Sequence, residues 1–314
     1  MIRCLYRAAR VPGALPPHDT LHARVYYPAL PPTTEAERMT GELPVDRTQA
    51  PLPVVLFCSG INVPCAGYGW LALRLAAAGY AVALYDYVAE TLPGAVGLTP
   101  GLDLEWVRPD TYGTGPTCPA IGPLLDLLAA LNDRPDGPLH AALDLRRVAL
   151  GGHSAGGTVA LHNGGYFQGV AAVFAYAGHT VASTLLGFPP GTVLSIADKP
   201  TLLMRGDRDG VIAASRGRYG HGPADDPIAR TFAEALPATA CGPVYDALIE
   251  GANHLAIVHP QDETTARGFL DGDLGRPAEA IRETIVELLL AFFARHLRGA
   301  PVAVGADHTF VRSR

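Results

Sequence analysis

Leu145-Arg146-Arg147-Val148-Ala149-Leu150-Gly151-Gly152-His153-Ser154-Ala155-Gly156-Gly157-Thr158-Val159-Ala160-Leu161-His162-Asn163 reads as a short apolar strand, a glycine-pinched turn and a helix of small residues. Ser154 stands at the turn. In a Gly-x-Ser-x-Gly elbow the serine takes a strained backbone conformation, and strand and helix approach so closely that the positions two before and two after it must lack side chains. Gly152 and Gly156 fill both. With 35 glycines and six serines in 314 residues, chance supplies about 0.07 such pentapeptides. The buried strand before the motif and the helix after it are the context that a nucleophilic serine requires.

Further strands flank this unit. Pro53 to Cys58 is a continuous apolar run, which predicts a strand buried on both faces, followed by a ligand-side loop at Ser59-Gly60. Residues 66–78 form a helix stopped by Gly79, and Tyr80 to Tyr85 is the next buried strand, ending at Asp86. Short apolar strands follow at 170–176, 200–205 and 243–249, the last of them taken as the final strand. Helices fall at 120–132 and 227–235, and a long amphipathic one at 278–297. Residues 1–8 and 21–27 read as edge strands and 29–52 as a Pro- and Thr-rich loop. Alternating strands and helices predict an α/β architecture, a mostly parallel central sheet with helices on both faces. Residues 88–118 lose periodicity, and at that length are a pocket wall or partial lid, or a plain surface loop.

A serine hydroxyl needs a histidine to take its proton, and that imidazole needs a carboxylate to fix its tautomer. In this fold class such groups sit on loops at the carboxyl ends of strands, in the order Ser, acid, His. Gly206-Asp207-Arg208-Asp209-Gly210-Val211-Ile212 follows one strand and Glu250-Gly251-Ala252-Asn253-His254-Leu255 follows another. Asp209 lies 55 residues after Ser154 and His254 45 after Asp209, room for the intervening elements. Asp207 sits closer to the strand end, with Arg205 or Arg208 as its expected partner, so Asp209 is the candidate acid. His259, His153 and His162 are the alternatives to His254. Two backbone N–H groups must meet the developing oxyanion. Ala155 is one candidate and Ile61 the other, with Asn62 as its near alternative. Tyr68, Trp106, Tyr112 and Leu255 are candidate substrate-lining residues.

These motifs, with Gly151 to Gly157, Gly206 to Ile212 and Gly251 to His254, resemble the α/β-hydrolase superfamily over residues 53–297. Within it the chain looks most like the branch of chlorophyllases, platelet-activating-factor acetylhydrolases, cutinase-like polyesterases and dienelactone-hydrolase-like proteins. The resemblance implies an α/β-hydrolase fold and ester hydrolysis without a cofactor, and its Gly-x-x-Asp-x-x-[Val/Ile] spacing also selects Asp209. The chain departs from the branch at three points. Dienelactone hydrolases carry cysteine where Ser154 stands, chlorophyllases carry arginine at the position of Ala155, and the usual His-Gly before the oxyanion residue is Ser59-Gly60.

Composition sets the outer limits. A chain of this length with 48% hydrophobic and 17% charged residues can bury the core of one domain spanning 1–314. A net charge of −6 gives no basic footprint for nucleic acid or anionic lipid, so a neutral or apolar ligand fits better; the resemblance implies that this partner is a small-molecule ester. No stretch has signal-peptide or membrane-span character, and the expected location is cytoplasmic. Cys4, Cys58, Cys65, Cys118 and Cys241 lack metal spacing and are read as small buried hydrophobes, so no metal is expected. Lys199, the sole lysine, precedes a strand-opening proline, a poor place for a catalytic amine. The expected activity is hydrolysis of a small to medium apolar ester through an acyl-enzyme. An acyl-thioesterase or a lipase or polyester hydrolase on the same triad is the alternative. An NAD-binding oxidoreductase is a remote one, because Gly67-x-Gly69-x-x-Ala72 opens a helix and Asp86 follows Gly69 by 17 residues.

Overall fold

The computed structural model describes residues 1–92, 94–219, 226–236 and 242–314; Cys241 lies outside them. The described strands are β1 (Ile2–Arg10), β2 (Thr20–Pro28), β3 (Leu52–Cys58), β4 (Ala81–Leu92), β5 (Ala95–Leu98), β6 (Leu143–His153), β7 (Val170–Tyr176), β8 (Thr201–Gly206), β9 (Val244–Ile249) and β10 (Thr309–Ser313). They form a mixed sheet in the order β1-β2-β4-β3-β6-β7-β8-β9-β10, with β5 hairpinned onto β4. From β4 through β9 the neighbours are parallel. Antiparallel pairs finish both edges, β1–β2–β4 at one and β9–β10 at the other.

The helices are α1 (Glu35–Thr40), α2 (Gly69–Ala77), α3 (Ile121–Asp133), α4 (Ala155–Asn163), α5 (Gly210–Ser215), α6 (Pro227–Glu234) and α7 (Ala278–Arg298). Because side chains alternate along a strand, β3 sends Val54, Leu56 and Cys58 to one face and Val55 and Phe57 to the other. The first face packs under α3, α4 and α6, the second under α2 and α7. This two-sided burial explains why β3 is a solid apolar run. Along α7, Ile281, Ile285, Leu288, Leu289, Phe292 and Phe293 are fully buried, each contributing about 1.5–3 kcal/mol.

Four sequence expectations need correction. β2 lies between β1 and β4 and is not an edge strand. The loop over 29–52 contains α1, built by a capping box in which Thr34 and Glu37 satisfy each other's backbone N–H. β9 is not the last strand, since β10 adds to it. β10 escapes a sequence reading because Thr309–Ser313 is five residues long, has no fully buried residue and lacks apolar–polar alternation. Residues 88–118, expected to be aperiodic, begin with the β4–β5 hairpin and continue to a 3-10 turn at Leu104–Trp106.

A charge cluster ties the C-terminal edge together. Asp246 of β9, 1% exposed, accepts from Arg205 Nε and Nη2 at 2.9 and 3.1 Å and from Arg312 Nε at 3.2 Å. Arg312 stands directly opposite Asp246 in the β9–β10 register. Arg205 also reaches Asp226, the N-cap of α6, at 2.7 Å. Among the described residues no helix is long and apolar enough to cross a membrane.

Candidate active site

β6 delivers Ser154 at its carboxyl end, and the backbone there turns through φ 55°, ψ −123° before α4 begins. A non-glycine residue holds positive φ only where its surroundings enforce it. Here they do so: the Ser154 N–H donates to the Tyr176 carbonyl at 2.8 Å, and its carbonyl accepts from Thr158 at 3.0 Å. A Cβ on either Gly152 or Gly156 would run into the Cys58 carbonyl of β3, so the glycines are required by the strand–helix approach. The N-terminus of α4, with its partial positive charge, opens at the same point.

β8 and β9 supply the next two groups. Asp209 caps α5, accepting the Ile212 N–H through Oδ1 at 2.7 Å, and its Oδ2 lies 2.8 Å from His254 Nδ1. Both side chains are buried. A carboxylate can only accept, so Nδ1 carries the proton and Nε2 is left with its lone pair. Ser154, Ala155, Ile61, Leu255 and His254 line one small cleft. Asp207 does not pair with Arg205 or Arg208, as the sequence suggested: Oδ1 accepts the Gly251 N–H at 2.8 Å, bracing the loop that bears His254.

The loop after β3 distinguishes its N–H groups. Gly60 N–H donates to the Tyr68 hydroxyl at 3.0 Å, and Asn62 N–H to the Leu98 carbonyl at 2.9 Å. Among the described residues neither the Ile61 nor the Ala155 N–H has an acceptor.

Several predicted lining residues sit elsewhere. Tyr68 is fully buried beneath the loop, its hydroxyl 2.8 Å from His153 Nδ1. That hydroxyl accepts from Gly60 N–H, and the buried His153 ring lies beside His254, ring centroids 4.7 Å apart. Trp106 lies over Gly115, half in solvent, away from the cleft. Tyr112 donates to the Ser195 carbonyl at 2.6 Å and stands behind the wall, edge-on to His162. Of the four, Leu255 lines the cleft. His259 is exposed, with its backbone N–H held by the Gly67 carbonyl at 2.7 Å. The dinucleotide fingerprint is closed: Val258 covers Gly67, and Asp86 accepts from Cys65 N and Sγ at 2.7 and 3.1 Å. Cys58, Cys65 and Cys118 are buried free thiols and Cys4 is half-buried; burial pushes Cys58 up to about 12.

A second cavity of about 220 Å³ opens from Ser154, Ala155 and Ile61. Leu102 and Val107 from the 88–118 segment and Val181, Ala182, Leu186, Leu194 and Ile212 give it an apolar wall. Arg218 and Arg267 also line it, and no carboxylate does among the described residues. A cavity of about 280 Å³ beside the β4–β5 hairpin holds Glu90, Asp103 and Glu105 but no candidate nucleophile.

Sequence reasoning missed His179, which lines the 220 Å³ cavity just past the end of β7; that placement, the same as for the other site residues, was the available signal. His179, His162 and His153 are buried, and burial drives them below the ordinary histidine value of 6.5, to about 4 for His179 and about 3 for His162. Their neutral forms are therefore the folded ones. The unfolded chain starts to take up protons near pH 6.5 while the fold does not. Their contribution is thus complete above 6.5 and is lost as pH falls towards 4 and 3. Each fully buried histidine should cost on the order of 1 kcal/mol per pH unit through that window. Thermal unfolding at pH 7.5 and 5 should show the loss, and His162→Phe should flatten the slope; an unchanged slope would reject this origin.

No protein-family model matches the chain, and no curated protein matches it in sequence. Among solved structures it is similar to a ferulic acid esterase from Streptomyces cinnamoneus, with a TM-score of 0.56 and 19% identity over 96% of this chain and 90% of that one. The likeness is one of fold, an α/β sheet with helices on both faces.

Proposed function

We propose that the protein is a serine carboxylic-ester hydrolase, a single α/β-hydrolase domain over residues 1–314, with Ser154 as nucleophile, His254 as base and Asp209 as its orienting acid. The observation that carries this reading is the 2.8 Å Asp209–His254 contact facing the cleft that Ser154 lines on its strained turn. Ser154 Oγ attacks the ester carbonyl carbon while His254 Nε2 takes its proton. The oxyanion is met by the Ala155 and Ile61 N–H groups, reinforced by the α4 N-terminus. Collapse expels the alcohol, which receives the proton from His254. Water then attacks the acyl-enzyme by the same route and restores Ser154.

The cavity of about 220 Å³ with its mainly apolar wall fits a small or medium group, and Leu102, Val107 and Leu186 replace Trp106 and Tyr112 as its lining. The name of the structural neighbour, an esterase, agrees with this class. The same triad would serve an acyl-thioester, whose thiolate is the better leaving group. The test is treatment with a fluorophosphonate probe, then peptide mapping, beside turnover of p-nitrophenyl esters of graded length and a matched acyl-thioester. Labelling at Ser154 and preference for short and medium oxygen esters are expected. Label on another residue, or an active protein that takes none, overturns the assignment.

A further inference from the structure

We infer that Asp271 is a positioning residue that holds the loops of the acid and the base in mutual register. This rests on the triad reading above. The Asp271 carboxylate lies between the two loops and is bonded to both. Its Oδ1 accepts from Gly210 N at 3.1 Å, the residue directly after Asp209, and from His254 N at 3.1 Å. Its Oδ2 accepts from Leu255 N at 2.9 Å, and Oδ1 also takes the Gly272 N–H at 3.2 Å. Four backbone donors from three chain segments thus converge on one carboxylate, and among the described residues no cation pairs with it.

The arrangement has a chemical purpose distinct from general packing. β8 and β9 are hydrogen-bonded neighbours, and just beyond them Arg208 N–H still donates to the Ala252 carbonyl at 2.9 Å, but Asp209 and His254 lie past that last backbone link. Asp207 fixes the start of the base loop at Gly251, and Asp271 fixes its far side at His254 itself. The imidazole is therefore held at its backbone from beneath while Asp209 holds the ring. Charge-assisted bonds of this kind are roughly twice as strong as neutral ones. The carboxylate also places a fixed negative charge at the backbone of the residue whose ring becomes an imidazolium during turnover, a charge state it favours.

Asp271→Asn preserves shape but removes the charge and puts an NH₂ against N–H donors. We expect kcat to fall on the order of 10- to 100-fold with KM nearly unchanged, a loss in the transition state alone. The acid limb of the pH–rate profile should move to lower pH, because the positive imidazolium loses a counter-charge. Asp271→Glu, which keeps the charge but misplaces it, should restore the pH limb while leaving kcat low. Should Asp271→Asn fail to accumulate folded, Asp271→Ser, which can still accept one N–H, carries the same expectation. Near wild-type kcat and an unmoved limb, in a variant whose wild-type parent is labelled at Ser154, overturns the role of Asp271 and leaves the triad standing. A parent not labelled at Ser154 overturns the triad itself.

Discussion

Ser154→Ala should lower kcat/KM on any ester substrate on the order of 10⁴- to 10⁶-fold, the cost of removing a nucleophile whose partners then have nothing to activate. The fold should tolerate it. Ser154 has positive φ at the elbow, and alanine has the same Cβ, so no steric demand is added. The hydroxyl makes no hydrogen bond among the described residues, so none is lost. Circular dichroism and the melting temperature should match wild type, which separates chemical from structural loss. KM should change little, because the cavity wall and the two N–H donors persist. A variant retaining more than about 1% of activity, far above the residue left when a nucleophile is removed, would show that a different group attacks.

Asp209→Asn should cost roughly 10³- to 10⁴-fold in turnover. The amide can still cap α5 through its oxygen, so the helix start survives, but a neutral group at 2.8 Å no longer stabilises the imidazolium and can turn an NH₂ towards Nδ1. The ring then takes the wrong tautomer. Asp207→Asn is the matched control: it touches the same loop, and its amide oxygen can still accept from Gly251. A loss below about tenfold is expected there, the scale of one weakened hydrogen bond. Steady-state kinetics on both variants decide the matter, and the reverse ranking would shift the acid by two residues.

The parts of the site written in local chemistry were legible in the sequence. Gly152 and Gly156 report a steric demand of their own backbone, and Ser154, Asp209 and His254 each follow a strand that its apolar run marks. Ser154 and His254 line one cleft, and Asp209 reaches the His254 ring at 2.8 Å. Contacts set by distant segments were not legible. Tyr68 looked like lining because it is aromatic and near the β3 loop, yet β6 places His153 within reach of its hydroxyl, 85 residues away, and it becomes a buried brace. Asp271-Gly272 carries only turn chemistry, and its bonds to Gly210 and His254 arise when three loops meet. Residues 88–118 were read as aperiodic because the β4–β5 hairpin is short and partly exposed, with no apolar alternation to announce it.

Asp246 makes the C-terminal edge self-checking. Strands repeat every two residues, so sliding β10 by one position would send Arg312 to the opposite face and leave the buried carboxylate with Arg205 alone. An under-neutralised buried charge costs on the order of a few kcal/mol, more than several backbone hydrogen bonds return. The same penalty falls on any foreign strand that displaces β10 without an arginine at the matching rung. One carboxylate therefore acts as a key for alignment: it disfavours a one-residue slip of β10 and any added strand without an arginine on that rung, at an edge that would otherwise invite pairing.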